Sequence, residues 1–419
     1  MKADALVIGG GILGCAAAWH LARRGVQVVV IERESAAGHG STARSTAIVR
    51  QRYTHPAAMA LALEGLRTWE RWGDLVPADE NGRRAALVKA GVLFLLPRGE
   101  ASTETLARAM RSVGIAVERL DRDSLARSFP ALAFDEREPV EGLFEPEGGY
   151  VDDPTRATED VARAAVAAGA TFRYETRLVS VLTEWENGSL AVRGVRTHLG
   201  ETIESPVVVN CAGPHSGWVN LLAHSPLRLT TAPLKQVVLS GHSPGLRSLP
   251  GRLPVIADLI HGFYLRPDPE RTRIGAVWQR DETEFIADPD LADDHPVDPA
   301  ILTSRLAAAR RRLPGLEVLV ASPLVGVYDV TVQDWYPIVD RTATRGYFVA
   351  VGTSGAWFKA GPMIGQLAAE MVTASLAGRD TDREPLEVTL PLTGYRFPMT
   401  LFSRVRAPIE LSYGGGVLG

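Results

Sequence analysis

Cysteine is almost missing: 419 residues carry two, Cys15 and Cys211. Two thiols without metal-ligand spacing exclude a disulfide-built scaffold and a zinc site, suit a reducing cytoplasm, and read as small buried residues. An excess of one charge is also missing. Forty-five Lys and Arg against 49 Asp and Glu leave a net charge of −4, and no long basic run offers nucleic acid a footprint. Long apolar runs are lacking too. The stretch 5–22 is broken by four glycines and fits a strand and helix better than a membrane span. Met1-Lys-Ala-Asp4 leads straight into it, without the regions of a secretory signal. These absences predict a cytoplasmic protein with neither nucleic acid nor membrane as partner. Hydrophobic residues make up 46% of the chain, enough for a large core and about two domains.

What is present is most informative at the start. Ala5-Leu-Val-Ile8 is a short apolar run of the kind buried on both faces of a sheet. Gly9 suits a tight turn, Gly11 lets main chain approach a pyrophosphate, and Gly14 lets helix and strand pack closely. The helix that follows carries Ala16, Ala17, Ala18, Leu21 and Ala22, directs its N-terminal N–H groups at the phosphates, and stops at Gly25. Val28-Val-Val-Ile31 then delivers Glu32, where an acid binds ribose hydroxyls. Strand, glycines, helix, strand and acid in register predict a dinucleotide site, with FAD or NAD favoured over NADP.

Further along, Gly38-His-Gly-Ser-Thr-Ala-Arg-Ser-Thr46 is a loop of small hydroxylic residues that offers hydroxyls and N–H groups to a cofactor's polar chain or simply to solvent. The pattern predicts an amphipathic helix over 56–75, through Met59, Leu63, Leu66, Trp69 and Trp72. Strands are expected at 91–96 and 140–144, and a helix over 154–168 entered by Asp152-Asp153-Pro154. Strands return over 173–181, and Pro206-Val-Val-Val-Asn-Cys-Ala-Gly-Pro214 reads as a buried strand closing on a sharp turn. Residues 226–285 are rich in strands and prolines, 299–313 form an arginine-rich helix, and a last buried strand over 346–352 precedes a helix over 362–377. The residues after 380 read as a patternless surface tail. Dinucleotide-type pieces thus recur at the start, middle and end with other material inserted twice. This interleaving favours a flavoprotein over an NAD dehydrogenase. The fold class expected is α/β plus α+β: a Rossmann-type FAD-binding domain from 1–85, 145–225 and 325–380, and a mainly antiparallel substrate domain from 86–144 and 226–324, with 381–419 as the tail.

Five segments carry a resemblance over nearly the whole chain: Val7-Ile-Gly-Gly-Gly-Ile-Leu-Gly14, Gly40-Ser-Thr-Ala-Arg-Ser-Thr-Ala-Ile-Val-Arg50, Gly149-Tyr-Val-Asp152, Val209-Asn-Cys-Ala-Gly-Pro-His-Ser216 and Gly352-Thr-Ser-Gly-Ala-Trp-Phe-Lys359. In their order and spacing the chain resembles the D-amino-acid oxidase superfamily of FAD enzymes, nearest the branch of sarcosine oxidases, their β subunits and dimethylglycine dehydrogenases. The resemblance implies that FAD lies on Gly9, Gly11, Ile12, Leu13 and Gly14, at Glu32 and Arg33, and along Ser41, Thr42, Arg44, Ser45 and Thr46. It further implies contacts at Val179, at Ala212 and Gly213, and at Gly352, Ser354, Gly355, Trp357, Phe358 and Lys359. Arg50 matches the arginine that holds substrate carboxylate in sarcosine oxidases, and Lys359 the lysine that completes the clamp. Two cations on one carboxylate make strong charge-assisted bonds and orient the reacting C–H. Tyr264 and Tyr328 fall where that branch surrounds the amine.

The departures also carry implications. Val325-Gly-Val327 stands where sarcosine oxidases attach FAD through a cysteine, and Arg44 where dimethylglycine dehydrogenases use a histidine. Non-covalent FAD is therefore implied. Arg273-Ile-Gly-Ala-Val277 replaces the lysine and histidine of the oxygen-activating stretch, so Arg273 enters the candidate site and the electron acceptor is either O2 or another molecule. The expected reaction is oxidation of an amino acid or N-alkyl amino acid by hydride transfer to flavin N5, giving an imine that hydrolyses. Oxidation of a 2-hydroxy acid is the rival. It needs a base such as His215, His242, His261 or His295, none of them in a persuasive motif. A flavin-binding subunit of a multi-subunit amine dehydrogenase is the other, so partner subunits and a homo-oligomer both stay open. Trp278, Trp335 and Trp357 read either as core or as walls of an aromatic cavity.

Overall fold

The apolar run before the first glycines is a strand, Ala5–Ile8, with all four residues buried. The computed structural model, which describes residues 1–99, 101–277, 284–294 and 297–409, sets this strand inside a six-stranded sheet. Val28–Ile31 and Val208–Asn210 flank it, Thr171–Arg173 and Tyr347–Val351 lie beyond them, and all five run parallel. Ile338–Arg341 closes one edge antiparallel. Successive side chains face opposite ways. Ala5, Val7, Val28 and Val30 join one core, while Leu6, Ile8, Val29 and Ile31 join another.

Helices Ile12–Ala22, Pro154–Ala167 and Gly361–Leu376 supply buried residues to the first of these cores. Asp153 caps the second helix, its carboxylate accepting from Thr155 N at 3.0 Å and Arg156 N at 3.1 Å ahead of Pro154; such a cap is worth about 1 kcal/mol. The other core is shared with a three-stranded antiparallel sheet, Leu178–Glu186, Ser189–Thr197 and Thr202–Glu204. A Cβ on Gly365 would stand 2.4 Å from Ala16 Cβ, so the first and last of the three helices cross at nearly backbone contact.

A second, nine-stranded sheet is here called the roof. It runs Glu118–Asp121, Val140–Glu145, Val92–Pro97, Val255–Asp258, Phe263–Arg266, Thr272–Ala276 and Thr231–His242, with Glu284–Phe285 and Leu319–Thr331 also paired to the last. One face carries Phe94, Leu143, Ala257 and Tyr264 into the same core as the first helix. The other carries Leu93, Ile256, Phe263 and Ile274 against Ala309 and Leu313. Ile48–Val49, Gly149–Val151 and Leu87–Val88 form a small third sheet.

Three details differ from the sequence reading. The helix expected over 56–75 ends at Glu70, and Trp72–Leu75 is a separate short turn of helix. Helices Ala101–Ser112 and Arg122–Ser128 were not marked by the sequence pattern. The segment after 380 is anchored rather than merely laid on the surface. Glu387–Thr389 pairs with Arg396–Pro398, and Phe397 and Phe402 are fully buried. Buried Glu64 accepts from Leu392 N at 2.7 Å and Thr393 N at 2.8 Å, and Arg406 forks onto Asp334 at 2.8 and 2.9 Å. Both cysteines are buried. Among the described residues no helix is long and apolar enough to cross a membrane.

Candidate active site

At the carboxyl edge of the parallel sheet Gly9 turns with φ +100°, and a Cβ there would stand 2.5 Å from Cys211 O. Gly14 lies against that turn: a Cβ on it would meet Gly9 O at 1.9 Å. Neither position tolerates a side chain. Gly11 differs, because the nearest atom to its absent Cβ is Thr42 Oγ1 at 3.4 Å. Gly11 is also the N-cap of helix Ile12–Ala22 and puts no side chain across its free N–H groups. A helix start whose cap residue has no side chain, with the positive end of its dipole, suits a pyrophosphate. Glu32 ends the second strand, accepting from Gly10 N at 2.5 Å and Glu34 N at 2.9 Å, which holds the acid beside the turn.

The hydroxylic loop converges on the same edge. Thr42 Oγ1 lies 3.4 Å from Ile12 N. Ser41 bonds Val327 O and stands 4.0 Å from the absent Cβ of Gly213, the residue after Ala212. Exposed Arg44 packs its Cβ 2.9 Å from where a Cβ on Gly326 would stand, and neither residue carries a nucleophile. Ile12 is buried against Gly361, and Leu13 is half-buried. These features fit a dinucleotide cofactor. Arg33 is engaged elsewhere, on Asp290 and 3.1 Å from His215 Nε2. Val179 stands apart, exposed at an irregularity in its strand; Thr176 N, bonded to Glu32 O at 2.8 Å, reaches the second strand's end instead.

Beside the loop lies a narrow cleft. Ser45, Thr46, Ile48 and Arg50 line one wall, and Gly355, Ala356, Phe358 and Lys359 the other. Gly352 and Ser354 shape the turn that carries the second wall, Ser354 with φ +51° and its Oγ 3.2 Å from Gly352 O. Tyr328 lays its ring over Gly355, 3.2 Å from where a Cβ would be. Six of these eight, Ser45, Thr46, Arg50, Gly355, Phe358 and Lys359, are candidates named from the sequence, and Arg50 and Lys359 line the same cleft. Both are buried, and both lie against one ring: the Arg50 guanidinium is 4.7 Å, and Lys359 Nζ 5.4 Å, from the Tyr53 centroid. Lys359 Nζ donates to Tyr53 Oη at 3.2 Å and Ala356 O at 2.5 Å. Burial first, and the Arg50 charge second, hold its pKa well below the ordinary lysine value, while Glu145 opposes them.

Trp357 is placed differently from its neighbours. It is fully buried, stacked 4.5 Å from Tyr53 and edge-on to Phe402, and belongs to the core behind the cleft. Trp335 is buried as well, while Trp278 and His295 lie outside the described residues. Tyr264 and Arg273 sit on the roof. Tyr264 leans across Gly275, and half-buried Arg273 bonds Ser240. Of the other histidines, His215 lies 3.0 Å from Asp290, His261 3.5 Å from Glu138 and His242 3.8 Å from Glu270. None of the three is among the residues lining the cleft.

Several participants escaped the sequence reading. Tyr53 lies three residues beyond Arg50 and ties the walls together by donating to Ala356 O at 2.6 Å. Arg52 stands over Phe94 at 5.2 Å. Glu145 is fully buried, accepts from Gln51 N at 2.8 Å, and burial pushes its pKa up to about 7 against the pull of the Gln51 amide and of Arg50 and Arg52. Asp329, also buried and raised to about 6 by desolvation, binds the amide of Gly352 and the Thr353 hydroxyl. The available signal was an acid closing an apolar strand, as in Leu143-Phe-Glu145.

A family profile described as FAD dependent oxidoreductase (DAO) matches residues 4–371. FAD-dependent oxidoreductase domain-containing protein 1 of Bos taurus is 26% identical over 408 residues, covering 88% of this chain and 81% of that one. Sarcosine dehydrogenase of Homo sapiens is 26% identical over 377 residues, 87% of this chain but only 39% of the human one. Among solved structures, L-proline dehydrogenase from P. horikoshii superposes with a TM-score of 0.75 at 24% identity, over 89% of this chain and 94% of that chain.

Proposed function

Since the chain belongs to the DAO family of FAD-dependent oxidoreductases, we propose that it oxidises an amine bearing a carboxylate, an amino acid or N-alkyl amino acid, to an imine that hydrolyses in water. The observation that carries the reading is that Arg50 and Lys359 line one cleft and lie against the same Tyr53 ring. Sarcosine, named in the human relative, is a substrate of this chemical class.

FAD, when bound, supplies the hydride acceptor at N5. The residues that would hold it are Gly9, Gly11 and Gly14 with the helix start behind them, Glu32, and Ser41, Thr42, Ser45 and Thr46, with no covalent link from Arg44 or Val325-Gly-Val327. Arg50 and Lys359 take the substrate carboxylate, and two charge-assisted bonds from opposite walls fix the orientation of Cα. A carboxylate arriving between two crowded cations restores the protonated state of Lys359 that burial and Arg50 disfavour. The same positive field lowers the pKa of the substrate ammonium, which must shed its proton before its lone pair can expel hydride. Tyr328 over Gly355 and Tyr264 on the roof narrow the space around the amine and exclude water. Among the described residues the cleft lining includes no histidine to deprotonate a hydroxyl, and this favours an amine over a 2-hydroxy acid.

Anaerobic mixing of the purified flavoprotein with sarcosine, proline, pipecolate and D- and L-amino acids tests the proposal. Bleaching of the flavin absorbance by one of them is expected, and re-admitted air then tells oxidase from dehydrogenase. Bleaching by 2-hydroxy acids alone would overturn it.

A further inference from the structure

Arg50 sits at the end of a short run, residues 46–51, that carries the chain from the hydroxylic loop toward the roof. The run has little secondary structure of its own. Its strand is Ile48–Val49, paired to Gly149–Val151 through Ile48 with Tyr150 and Val49 with Gly149. Both flanks are gripped by charged side chains from the roof. On one, Arg266 is 2% exposed and donates from Nη1 to Thr46 O at 2.9 Å and from Nη2 to Asp152 O at 2.9 Å. Its guanidinium lies 4.1 Å over the Tyr150 ring and is balanced by Asp268 at 3.1 Å. On the other flank, fully buried Glu145 accepts from Gln51 N at 2.8 Å. Burying a guanidinium and a carboxylate is costly, and here each is turned onto main-chain groups of one segment. Arg266 takes a carbonyl before the small strand and Glu145 an amide after it.

We propose that Glu145 and Arg266 are positioning residues: two roof side chains of opposite charge that fix the main chain of residues 46–51 and thereby set where the Arg50 guanidinium stands in the cleft. The kinetic consequence rests on Arg50 binding the substrate carboxylate; the mechanical one does not. If the amide–carboxylate bond holds Arg50 in place, a side chain of the same shape that still accepts a hydrogen bond should preserve the effect without the charge.

The test uses the holoenzyme with Glu145→Ala, Glu145→Gln, Arg266→Met and Arg266→Lys. Two readouts are taken: amide hydrogen exchange of peptides spanning 46–53, and KM with kcat for the amine that reduces the flavin. Glu145→Ala should speed exchange in that peptide and raise KM, each about tenfold, with kcat changed less than about threefold. Glu145→Gln should restore both to within about threefold of the parent. Arg266→Lys should exchange at a rate between the parent and Arg266→Met, since one of two carbonyl contacts survives. Unchanged exchange in Glu145→Ala would overturn the proposal, as would equal losses in the alanine and glutamine variants, or a fall in kcat with KM unmoved. Should Glu145→Ala not fold, the Arg266 pair decides by the same exchange rates. If no amine reduces the parent flavin, the functional reading falls while the exchange rates still judge the anchoring.

Discussion

Lys359 Nζ donates to Tyr53 Oη across 3.2 Å, and that hydroxyl donates in turn to Ala356 O at 2.6 Å. The ammonium thus has a phenol and a carbonyl as its hydrogen-bond partners among the described residues, both neutral. Arg50 stands over the same ring. A buried amine held so invites an anion, and the first prediction concerns its removal. Lys359→Met keeps the length of the side chain and deletes the donor. It should lower kcat/KM for the carboxylate-bearing amine by about 10²-fold, as expected for one charged hydrogen bond and the orientation it confers. Rapid-mixing reduction of the flavin measures this, and a loss under threefold would place the carboxylate elsewhere.

The second prediction is the pH dependence of KM. The Lys359 pKa is held below its ordinary value by burial, then by Arg50. The lysine is therefore charged only on the acid side of that lowered pKa, and KM should rise as pH climbs through it. Lys359→Arg, which stays protonated, should flatten the rise. A KM profile of the same slope in both proteins would show that the lysine does not titrate in the binding step.

The third concerns stability. Asp329 ionises near 4 in an unfolded chain and at about 6 in the fold, because desolvation outweighs its bonds to Gly352 and Thr353. The native state therefore binds this proton more tightly than the unfolded one. Its stabilising contribution is complete below pH 3.8 and is lost as pH rises through about 6, a change of about 3 kcal/mol. Asp329→Asn keeps an acceptor for the Gly352 amide and removes the titration. Its melting temperature should gain on the parent steadily between pH 4 and pH 7, as thermal scans at several pH values will register. A constant difference would assign the parent's slope to other groups.

The fourth is a matter of space. Gly14→Ala puts a methyl group 1.9 Å from Gly9 O, and the turn must open to admit it. The purified variant should carry less than about a tenth of the parent's flavin, for loss of close backbone approach at the phosphates. The ratio of flavin to protein absorbance reports it.

How much of this was legible in the sequence follows from how local each feature is. The glycine turn and Glu32 could be read because one strand, one helix and the next strand are consecutive, and each residue's task is decided within them. Arg50 and Lys359 lie at opposite ends of the chain and were placed through the motifs around them. Glu145 was hidden because its role depends on Gln51 N, 94 residues away. Arg266 was hidden for the same reason, its acceptors being carbonyls of Thr46 and Asp152. Main-chain partners leave no trace in the residue type that offers them. Trp357 could be read from the sequence as core or as cavity wall, and it is core: its neighbours Phe358 and Lys359 border the cleft, but the main chain there is a 3₁₀ turn, Phe358–Ala360, and the indole packs on Tyr53 and Phe402. The anchored segment after 380 escaped because its holdfasts, Glu64 and Asp334, belong to distant elements.

The tight crossing of Ile12–Ala22 and Gly361–Leu376 has a consequence for the order in which this molecule can be made. The glycine turn leaves the ribosome well before the helix that seats on Ala16, which follows some 350 residues later in the chain with the strand Tyr347–Val351 just ahead of it. The face of the first helix that meets Gly365 stays uncovered until that later helix has been made. Lys359 arrives two residues before that helix begins, so the event that completes the nucleotide-binding half also delivers the second cation to the cleft. Maturation of the two sites is one step in time.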